Sequence, residues 1–440
     1  MIFEDLRTVD LAHHITPGQF RLDQPVVDRV VPLTDVQWAR IGAPLSAAAG
    51  SIAAMNAIRT TPPRPVDVTA VFPQLAPLAR TATRLHPYPG APSPRDSSVG
   101  GPLLWPADEP WPHCDGPHEV NGLNPAMSPA DVRLERRLRA ATRGRSLTPK
   151  EEETLDRIRP RRGLPLKPAV AQPYEGSLAM LPVAQLYVRD VPDLHAPAGA
   201  DLLQVLWCPF DHPIMPRTAL FWRSAATVTD MLTTPPEPPA VKSDSYLPEP
   251  CLLNPEQITE YPNPMELSKE VRESLGDWST WQAADAGVDS SYAPDPERFY
   301  RNNLSVAPGW KVGGWASSGP TDPDPQLCLA CDTKMDPLLA IATFEWDDSN
   351  RSWAPDEDQA RIRASSTHTR PEDQTVIDFF LAKGIEVHVR GRVPLEGRAT
   401  PPLTDPDPRQ PTAVQIGSGY IQQLYVCPTS PEHPHTELMQ

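Results

Sequence analysis

The chain has 440 residues, of which 39% are hydrophobic and 22% are charged. It is therefore long enough for two or three domains with real cores and is not an intrinsically disordered protein. Proline is the outlier, with 58 residues, well above the usual share of about 5%. Because proline lacks an N–H and fixes φ, we expect short strands and ordered loops. The formal net charge of −16 argues against a surface that binds nucleic acid all over.

The start of the sequence does not resemble a secretory signal peptide. The acidic start, Met1 to Leu6, has no basic region followed by an apolar core, as a signal peptide would. No run reaches the roughly 18 apolar residues of a membrane span, and six scattered cysteines are too few for a disulfide scaffold. We expect a soluble cytoplasmic protein with reduced thiols.

The changes in composition along the chain predict five segments. They are an N-terminal prelude, partly helical between Thr34 and Ile58; a proline-rich linker; a first repeat with a helical hairpin inserted at 128–160; inter-repeat helix and loops; and a second repeat. In that order the segments cover residues 1–60, 61–98, 99–250, 251–309 and 310–440.

Three regions are predicted to be helical beyond the prelude. The hairpin helices begin at Ser128-Pro129 and Thr148-Pro149, where a capping hydroxyl precedes a proline and an acid follows three residues later. A third helix is predicted to start at Asn263, with Leu267, Val271 and Leu275 on one stripe and Gly276 as the C-cap, and a fourth spans Glu372–Ala382.

Short apolar segments predict buried strands. The fold class expected from them is α+β, predominantly β, with two small antiparallel sheets related by approximate internal twofold symmetry. The predicted strands are Leu178–Val188, Leu202–Trp207, Thr218–Trp222, Leu338–Trp346, Ile385–Val389 and Tyr420–Val426.

Two markers occur twice and indicate an internal duplication. Val99-Gly100-Gly101 recurs as Val312-Gly313-Gly314, and the run from Leu202 to Pro209 recurs as Ile421 to Pro428, so the markers keep their order and nearly their separation. The two repeats should therefore superpose, with Cys208 and Cys427 at equivalent strand ends. The glycine pairs are predicted to form turns or bulges where another backbone approaches closely; a phosphate cradle is the alternative.

Cysteine and histidine spacings suggest metal ligands in both repeats. In the second, the CxxC pair Cys328 and Cys331, with Cys427 and either His433 or His435, could complete a Cys3His zinc site. In the first, a CxxxH spacing occurs twice, at Cys114 and His118 and at Cys208 and His212. The sequence favours small buried thiols at strand ends and relics of an ancestral metal site, so no bound cofactor is expected, and zinc is the alternative.

Two further groups are candidate binding residues. Trp105 and Trp111, each followed by proline, could line a groove for an extended peptide, or stack within a core. The hairpin region 133–162 holds eleven basic residues against five acidic ones, among them Arg136, Arg137 and Arg139. These arginines could contact RNA phosphates, or form a solvated face paired with nearby acids. We find no catalytic motif such as GxSxG or HExxH and expect no enzyme.

The repeated motifs resemble those of the YwqG-like family of bacterial proteins, which shares a duplicated domain with the eukaryotic programmed cell death protein 2. The resemblance spans roughly residues 95 to 440 and implies a family with CxxC metal sites, of which only Cys328 and Cys331 keep that form. The matching segments are Ser98–Pro102, Leu181–Leu186, Leu202–Cys208, Lys311–Trp315, Cys328–Cys331 and Gly419–Cys427.

The resemblance implies a binding role, because the eukaryotic relatives act as chaperones or assembly factors for a ribosomal protein. Bacterial members are linked to RNA or toxin-immunity contexts. We therefore expect a protein-binding module, chaperone-like or immunity-type, whose acidic surface takes a basic partner. An RNA-associated factor that uses the arginine-rich hairpin is the alternative.

Overall fold

The structure, a computed structural model, describes residues 8–10, 59–120, 126–142, 145–159, 172–212, 214–316, 325–359, 386–388 and 407–440. The chain divides into two compact units, one of residues 1–58 with 359–400 and one of residues 59–358 with 401–440. The helices predicted within Thr34–Ile58 and Glu372–Ala382 lie outside the described residues.

The described strands are mostly short. In chain order they are β1 Thr8–Asp10, β2 Arg80–Arg84, β3 Tyr88–Pro89, β4 Ser98–Val99, β5 His113–Cys114, β6 Glu119–Val120, β7 Gln172–Pro173, β8 Leu178–Ala179, β9 Leu181–Tyr187, β10 Leu202–Asp211, β11 Pro216–Arg223, β12 Cys251–Leu252, β13 Glu256–Glu260, β14 Lys311–Gly313, β15 Asp336–Ala342, β16 Glu386–His388, β17 Ile421–Val426 and β18 Thr436–Met439.

The described helices are also short. They are α1 Val68–Val71, α2 Pro129–Ala141, α3 Pro149–Ile158, α4 Lys269–Gly276, α5 Trp278–Ala283 and α6 Pro296–Asn303. Short 3-10 helices cover Pro73–Leu78, Ala225–Thr227, Asp244–Tyr246, Pro264–Glu266, Ser290–Tyr292 and Arg351–Trp353.

The smaller unit contributes one described pair of strands. In it β1 and β16 run parallel, with Val9 opposite Val387.

The inserted hairpin begins where its caps predict. The Ser128 hydroxyl accepts the Asp131 N–H at the start of α2, and Thr148 and Glu151 form a reciprocal capping box at the start of α3. Proline occupies the first turn of both helices. Both predicted helix starts are therefore confirmed. The sequence could predict them because each depends only on hydrogen bonds between nearby residues.

The helix predicted from Asn263 starts later, which corrects that prediction. Asn263 caps only the 3-10 turn 264–266, and the chain is extended at Leu267. The Ser268 hydroxyl then accepts the Val271 N–H, so α4 begins at Lys269. Gly276 is its last helical residue and not its cap, because Asp277 ends α4 and at once caps α5.

Two six-stranded antiparallel sheets form the body of the larger unit. The first has the order β11-β10-β9-β4-β12-β3, and the second, taken from its opposite end, β18-β17-β15-β14-β2-β13. Matching positions are filled by matching strands of the two repeats, so the sheets are related by an approximate internal twofold. The chain is therefore a mixed α+β fold with more sheet than helix, as the sequence predicted.

Each repeat gives its first strand to the sheet of the other. Strand β2, which precedes the first repeat's own sheet, lies between β13 and β14 of the second sheet. Strand β12 likewise lies between β3 and β4 of the first sheet. The prediction that residues 61–98 form a linker is therefore wrong. The first repeat begins near Arg80, and the second begins near Cys251. Prolines flank these strands, and for that reason the sequence pattern did not predict them as strands.

The strand registers show the same duplication at the level of single residues. Val205 of β10 lies opposite Ala184 of β9, and Leu424 of β17 lies opposite Leu339 of β15. Val205 and Leu424 hold the same position in the two copies of the repeated run, the fourth from its start. Both strand pairs also have a register shift beside these residues, so the β-bulge is duplicated too.

One apolar cluster joins both sheets and includes Val183 and Val205 from the first and Leu339 and Leu424 from the second. The predicted close approach of another backbone is confirmed at Gly100, which has a φ of +64° and where a Cβ would lie 2.9 Å from the carbonyl oxygens of Pro248 and Glu249. In the second pair the nearest neighbours are side-chain atoms. At Gly314, which has a φ of +71°, a Cβ would collide with a carboxylate oxygen of Glu260 and lie 2.6 Å from the Cβ of Ala82.

Within the described residues no helix is long and apolar enough to cross a membrane.

Candidate metal centres

The second repeat brings one cysteine and histidine cluster together at the end of its sheet. Cys328 and Cys331 lie in the turn before β15, Cys427 directly follows β17, and His433 precedes β18. Their four potential ligand atoms all lie within 4.8 Å of one another. The Sγ atoms of Cys331 and Cys427 are 3.6 Å apart, and His433 Nδ1 lies 3.3 Å from the Cys427 Sγ. We call these four residues the second cluster.

The sequence left His433 and His435 as alternatives, and the structure separates them. His433 Nδ1 also lies 3.5 Å from the Cys328 Sγ. The His435 Nε2 lies instead 2.8 Å from the Thr218 hydroxyl, in a different sheet. His433 therefore supplies the fourth ligand atom of the second cluster.

The first repeat holds an equivalent cluster, here called the first cluster. Cys114 is in β5, His118 follows it, Cys208 is in β10, and His212 comes directly after β10. The Cys114 Sγ lies 3.4 Å from the His212 Nε2, and the Cys208 Sγ lies 3.3 Å from the His118 Nε2. All four ligand atoms again lie within 4.8 Å of one another.

The two clusters occupy equivalent places. Cys208 follows Trp207, the last β10 residue that pairs with β9, and Cys427 follows Val426, the last β17 residue that pairs with β15. Each CxxxH spacing in the sequence therefore marks one half of the first cluster. The spacing alone does not show that the two halves meet, because they are far apart in the sequence.

Backbone N–H groups point at the cysteine sulfurs. The Phe210 N–H donates to the Cys208 Sγ at 3.4 Å. In the second cluster burial raises the pKa of the Cys328 thiol, and the backbone amides of Ala330 and Cys331 act in the opposite direction; the Thr429 hydroxyl, and then its backbone amide, lower the pKa of Cys427. Such donors stabilise a thiolate and are the usual outer shell of a metal-binding cysteine.

Two hydroxyls add to this outer shell in the second cluster. The Thr429 Oγ1 lies 2.9 Å from the Cys427 Sγ and 3.4 Å from the Cys331 Sγ. The Thr333 Oγ1 lies 3.4 Å from the Cys331 Sγ. Hydrogen bonds from Thr333 and Thr429 lower the pKa of Cys331 to about 5, and the bond with Thr429 lowers that of Cys427 to about 7. The bond with Cys427 raises the pKa of His433.

The first cluster has a drier environment. Burial, with the charge of Arg217, lowers the pKa of His212 to about 4, and burial also lowers that of His118. Burial raises the pKa of the Cys208 thiol. Neutral imidazole is the form that binds metal, so both histidines are held in that form. The backbone of Gly176 acts on the pKa of His118 in the opposite direction to burial, but burial has the larger effect.

The two predicted binding tryptophans lie in the core next to the first cluster. Trp105 and Trp111 are 1% and 8% exposed, and they pack in one apolar group with Cys114 and Cys208. Their indole N–H groups donate to backbone carbonyls, that of Trp111 to Met180 at 2.9 Å. These rings support the wall of the cluster and offer little exposed face to a peptide.

The three predicted arginines of the hairpin differ in their contacts. Arg136 donates to the Glu249 carboxylate and to the Asp244 carbonyl, at 2.7 and 2.8 Å. Arg139 forms an ion pair with Glu135. Arg136 and Arg139 are thus engaged by carboxylates of the protein itself, whereas Arg137 is exposed to solvent.

No protein-family model matches the chain. A search of curated proteins also finds no match.

Proposed function

We propose that the chain is a zinc-stapled binding scaffold, in which each repeat holds one structural zinc ion and the acidic body binds a basic protein partner. The proposal of zinc rests on the observation that each of the two clusters has a full set of four ligands. Each provides four ligand atoms from the protein itself.

The ligand distances fit zinc. Zn–S bonds of about 2.3 Å and Zn–N bonds of about 2.1 Å at tetrahedral angles separate ligand atoms by roughly 3.4 to 3.8 Å. The closest pairs of ligand atoms, at 3.3 to 3.6 Å, lie close to that range, and the remaining pairs lie within 4.8 Å. Cys328, Cys331, Cys427 and His433 would hold one ion, and Cys114, His118, Cys208 and His212 the other. Soft thiolates with imidazoles favour zinc over calcium or magnesium.

Four protein ligands favour a structural role. Catalytic zinc sites keep one position open for water or substrate, whereas structural sites are closed. Each cluster ties the end of a central strand, β10 or β17, to the segment that follows Gly101 or Gly314 in the same repeat. Zinc at these places would contribute directly to folding.

The charge supports a basic partner. Residues 133–162 contribute a net +6, so the rest of the chain carries −22 of the total of −16. A field of that sign speeds association with cationic proteins and weakens as salt is added. Membership in the YwqG-like family, which we propose from the sequence motifs, agrees with a binding role.

The RNA alternative has less support. Besides the pairs of Arg136 and Arg139, Arg159 pairs with Glu135 at 2.8 Å and Arg145 with Glu151 at 2.7 Å. Much of the positive charge of the hairpin is therefore balanced within the protein.

Affinity capture with the zinc-loaded chain tests this proposal. At low ionic strength, after nuclease treatment, we expect recovery of a basic protein from the source cell, and recovery that declines as salt is raised. A triple reversal of Arg136, Arg137 and Arg139 to Glu should leave that recovery unchanged. Recovery of only acidic or neutral proteins would overturn the proposal, and loss in the triple variant or after nuclease would favour RNA.

A further inference from the structure

The second sheet ends in an unpaired edge at β13. This strand pairs with β2 on one side only. Just before β13 the Asn254 N–H donates to the Leu85 carbonyl at 3.0 Å, toward β2, and just after it the Tyr261 N–H donates to the Ser305 carbonyl at 3.3 Å, which is outside the sheet. Because the direction alternates along a strand, Glu256 and Ile258 bond toward β2.

The alternation fixes which backbone groups of β13 are free. Glu256 and Ile258, opposite Arg84 and Ala82, exchange hydrogen bonds with β2. Gln257 and Thr259 therefore direct their N–H and C=O groups away from the sheet. Within the described part of the chain, no strand pairs with this edge. Such a row of donors and acceptors is a template for another strand.

A groove of about 440 Å³ runs along this edge. One wall is β13, and the other is the segment from Thr61 to Val68, with Leu304 and Trp353 also in the lining. Pro62 and Pro63 lie in that second wall, where Pro has no backbone N–H to compete for the edge. The groove therefore combines a polar backbone edge with apolar surface for side chains.

The charged residues that line the groove favour a positively charged ligand. Glu256 and Asp67 line the groove as carboxylates. Among the described lining residues the single cation, Arg64, is stacked 3.4 Å above the Trp353 ring, and it donates to the backbone carbonyls of Pro62, Asn303 and Ser352. Its guanidinium donors are thus already engaged, and a cationic segment fits the groove better than an anionic one.

We propose that an extended basic segment of the partner binds here by adding a strand to β13. Its backbone would bond the outward groups of Gln257 and Thr259, and alternate side chains would enter the groove beside Pro63 and Val66. This inference rests on the proposed function and names the surface through which the partner is held.

A backbone-directed variant pair tests the inference on the full zinc-loaded chain. Thr259→Pro removes an outward N–H without removing a bond to β2, and Thr259→Ala keeps that N–H as the matched control. The probe is a fluorescent peptide of five Lys-Val repeats, measured by anisotropy. We expect Thr259→Pro to weaken its binding about fivefold, as one lost hydrogen bond would, and Thr259→Ala to change it less than twofold.

Two control peptides separate charge from strand addition. A Glu-Val peptide should bind at least tenfold more weakly, and a Lys-Val peptide with N-methyl groups on alternate amides should lose binding to the wild-type chain. Equal binding of the N-methylated and parent peptides would overturn the inference, even if Thr259→Pro failed to fold. Zinc content and thermal melting report whether that variant folds.

The outcomes also separate this inference from the proposed function. If the wild-type chain captures a basic protein and a folded Thr259→Pro variant captures it equally well, the edge is not the docking surface and only the inference fails. If the wild-type chain captures no basic protein, the proposed function itself fails.

Discussion

Lys311→Met should be among the most destabilising single substitutions in this protein. The Lys311 Nζ donates to both carboxylate oxygens of Glu260, at 2.6 and 2.7 Å, and to the Trp315 carbonyl at 2.6 Å. The two side chains are 1% and 0% exposed. Removing the cation leaves a buried carboxylate with only the N–H donors of Ala307 and Trp315. Breaking such a pair costs about 3 to 5 kcal/mol.

Urea unfolding of the zinc-loaded protein measures this cost. With an m value of about 3 kcal/mol/M, the midpoint should fall by roughly 1 M or more. Lys269→Met is the control, because Lys269 is 74% exposed and pairs with Glu273 only at 3.6 Å; it should cost less than about 0.5 kcal/mol. The double variant Glu260→Gln with Lys311→Met should lose less than the sum of its singles. Equal midpoints for Lys311→Met and Lys269→Met would refute the reasoning.

Other parts of the structure give three further predictions. Burial raises the pKa of Glu345 to about 7, so between pH 4.5 and pH 7 the folded chain keeps a proton that the unfolded chain has lost. The free energy of unfolding should therefore fall by up to about 3 kcal/mol as the pH rises through this range. Glu345→Gln should remove the loss, and its urea midpoint relative to wild type should rise from pH 4 to pH 8; a constant difference would contradict this. Cys331 is exposed whereas Cys114 and Cys208 are buried, so peroxide should release one zinc equivalent, measured with a chelating dye, well before the other; simultaneous release would count against the assignment. Because β2 and β12 are exchanged, residues 59–250 and 251–440 expressed separately should not fold but should associate when mixed, by circular dichroism and size-exclusion chromatography; a fragment folded alone would show that the exchange is dispensable.

Local signals in the sequence predicted their structures well. The caps at Ser128 and Thr148 needed only a hydroxyl, a proline and a nearby acid, and each helix starts there. The alignment of the repeated runs matches the strand registers around Val205 and Leu424. The CxxC pair led to the second cluster because its two cysteines are close in sequence.

Features that depend on distant partners were not predictable. Strand β2 reads Arg80-Thr81-Ala82-Thr83-Arg84, with no apolar run, and its last three residues are buried because only they have a strand on each side. Arg84 is buried in turn because its guanidinium donates to the Trp353 and Glu345 carbonyls. No pattern in the sequence records such long-range contacts, so the segment resembles a linker.

The central claim is that each repeat holds one structural zinc ion. Its most direct test is the zinc content, by mass spectrometry of the elements, of protein purified without chelator, together with Cys208→Ser and Cys427→Ser. We predict two zinc ions per wild-type chain and one in each variant, since each cysteine belongs to a different cluster. A wild-type chain that contains no zinc, or a zinc content that neither substitution changes, would contradict the account.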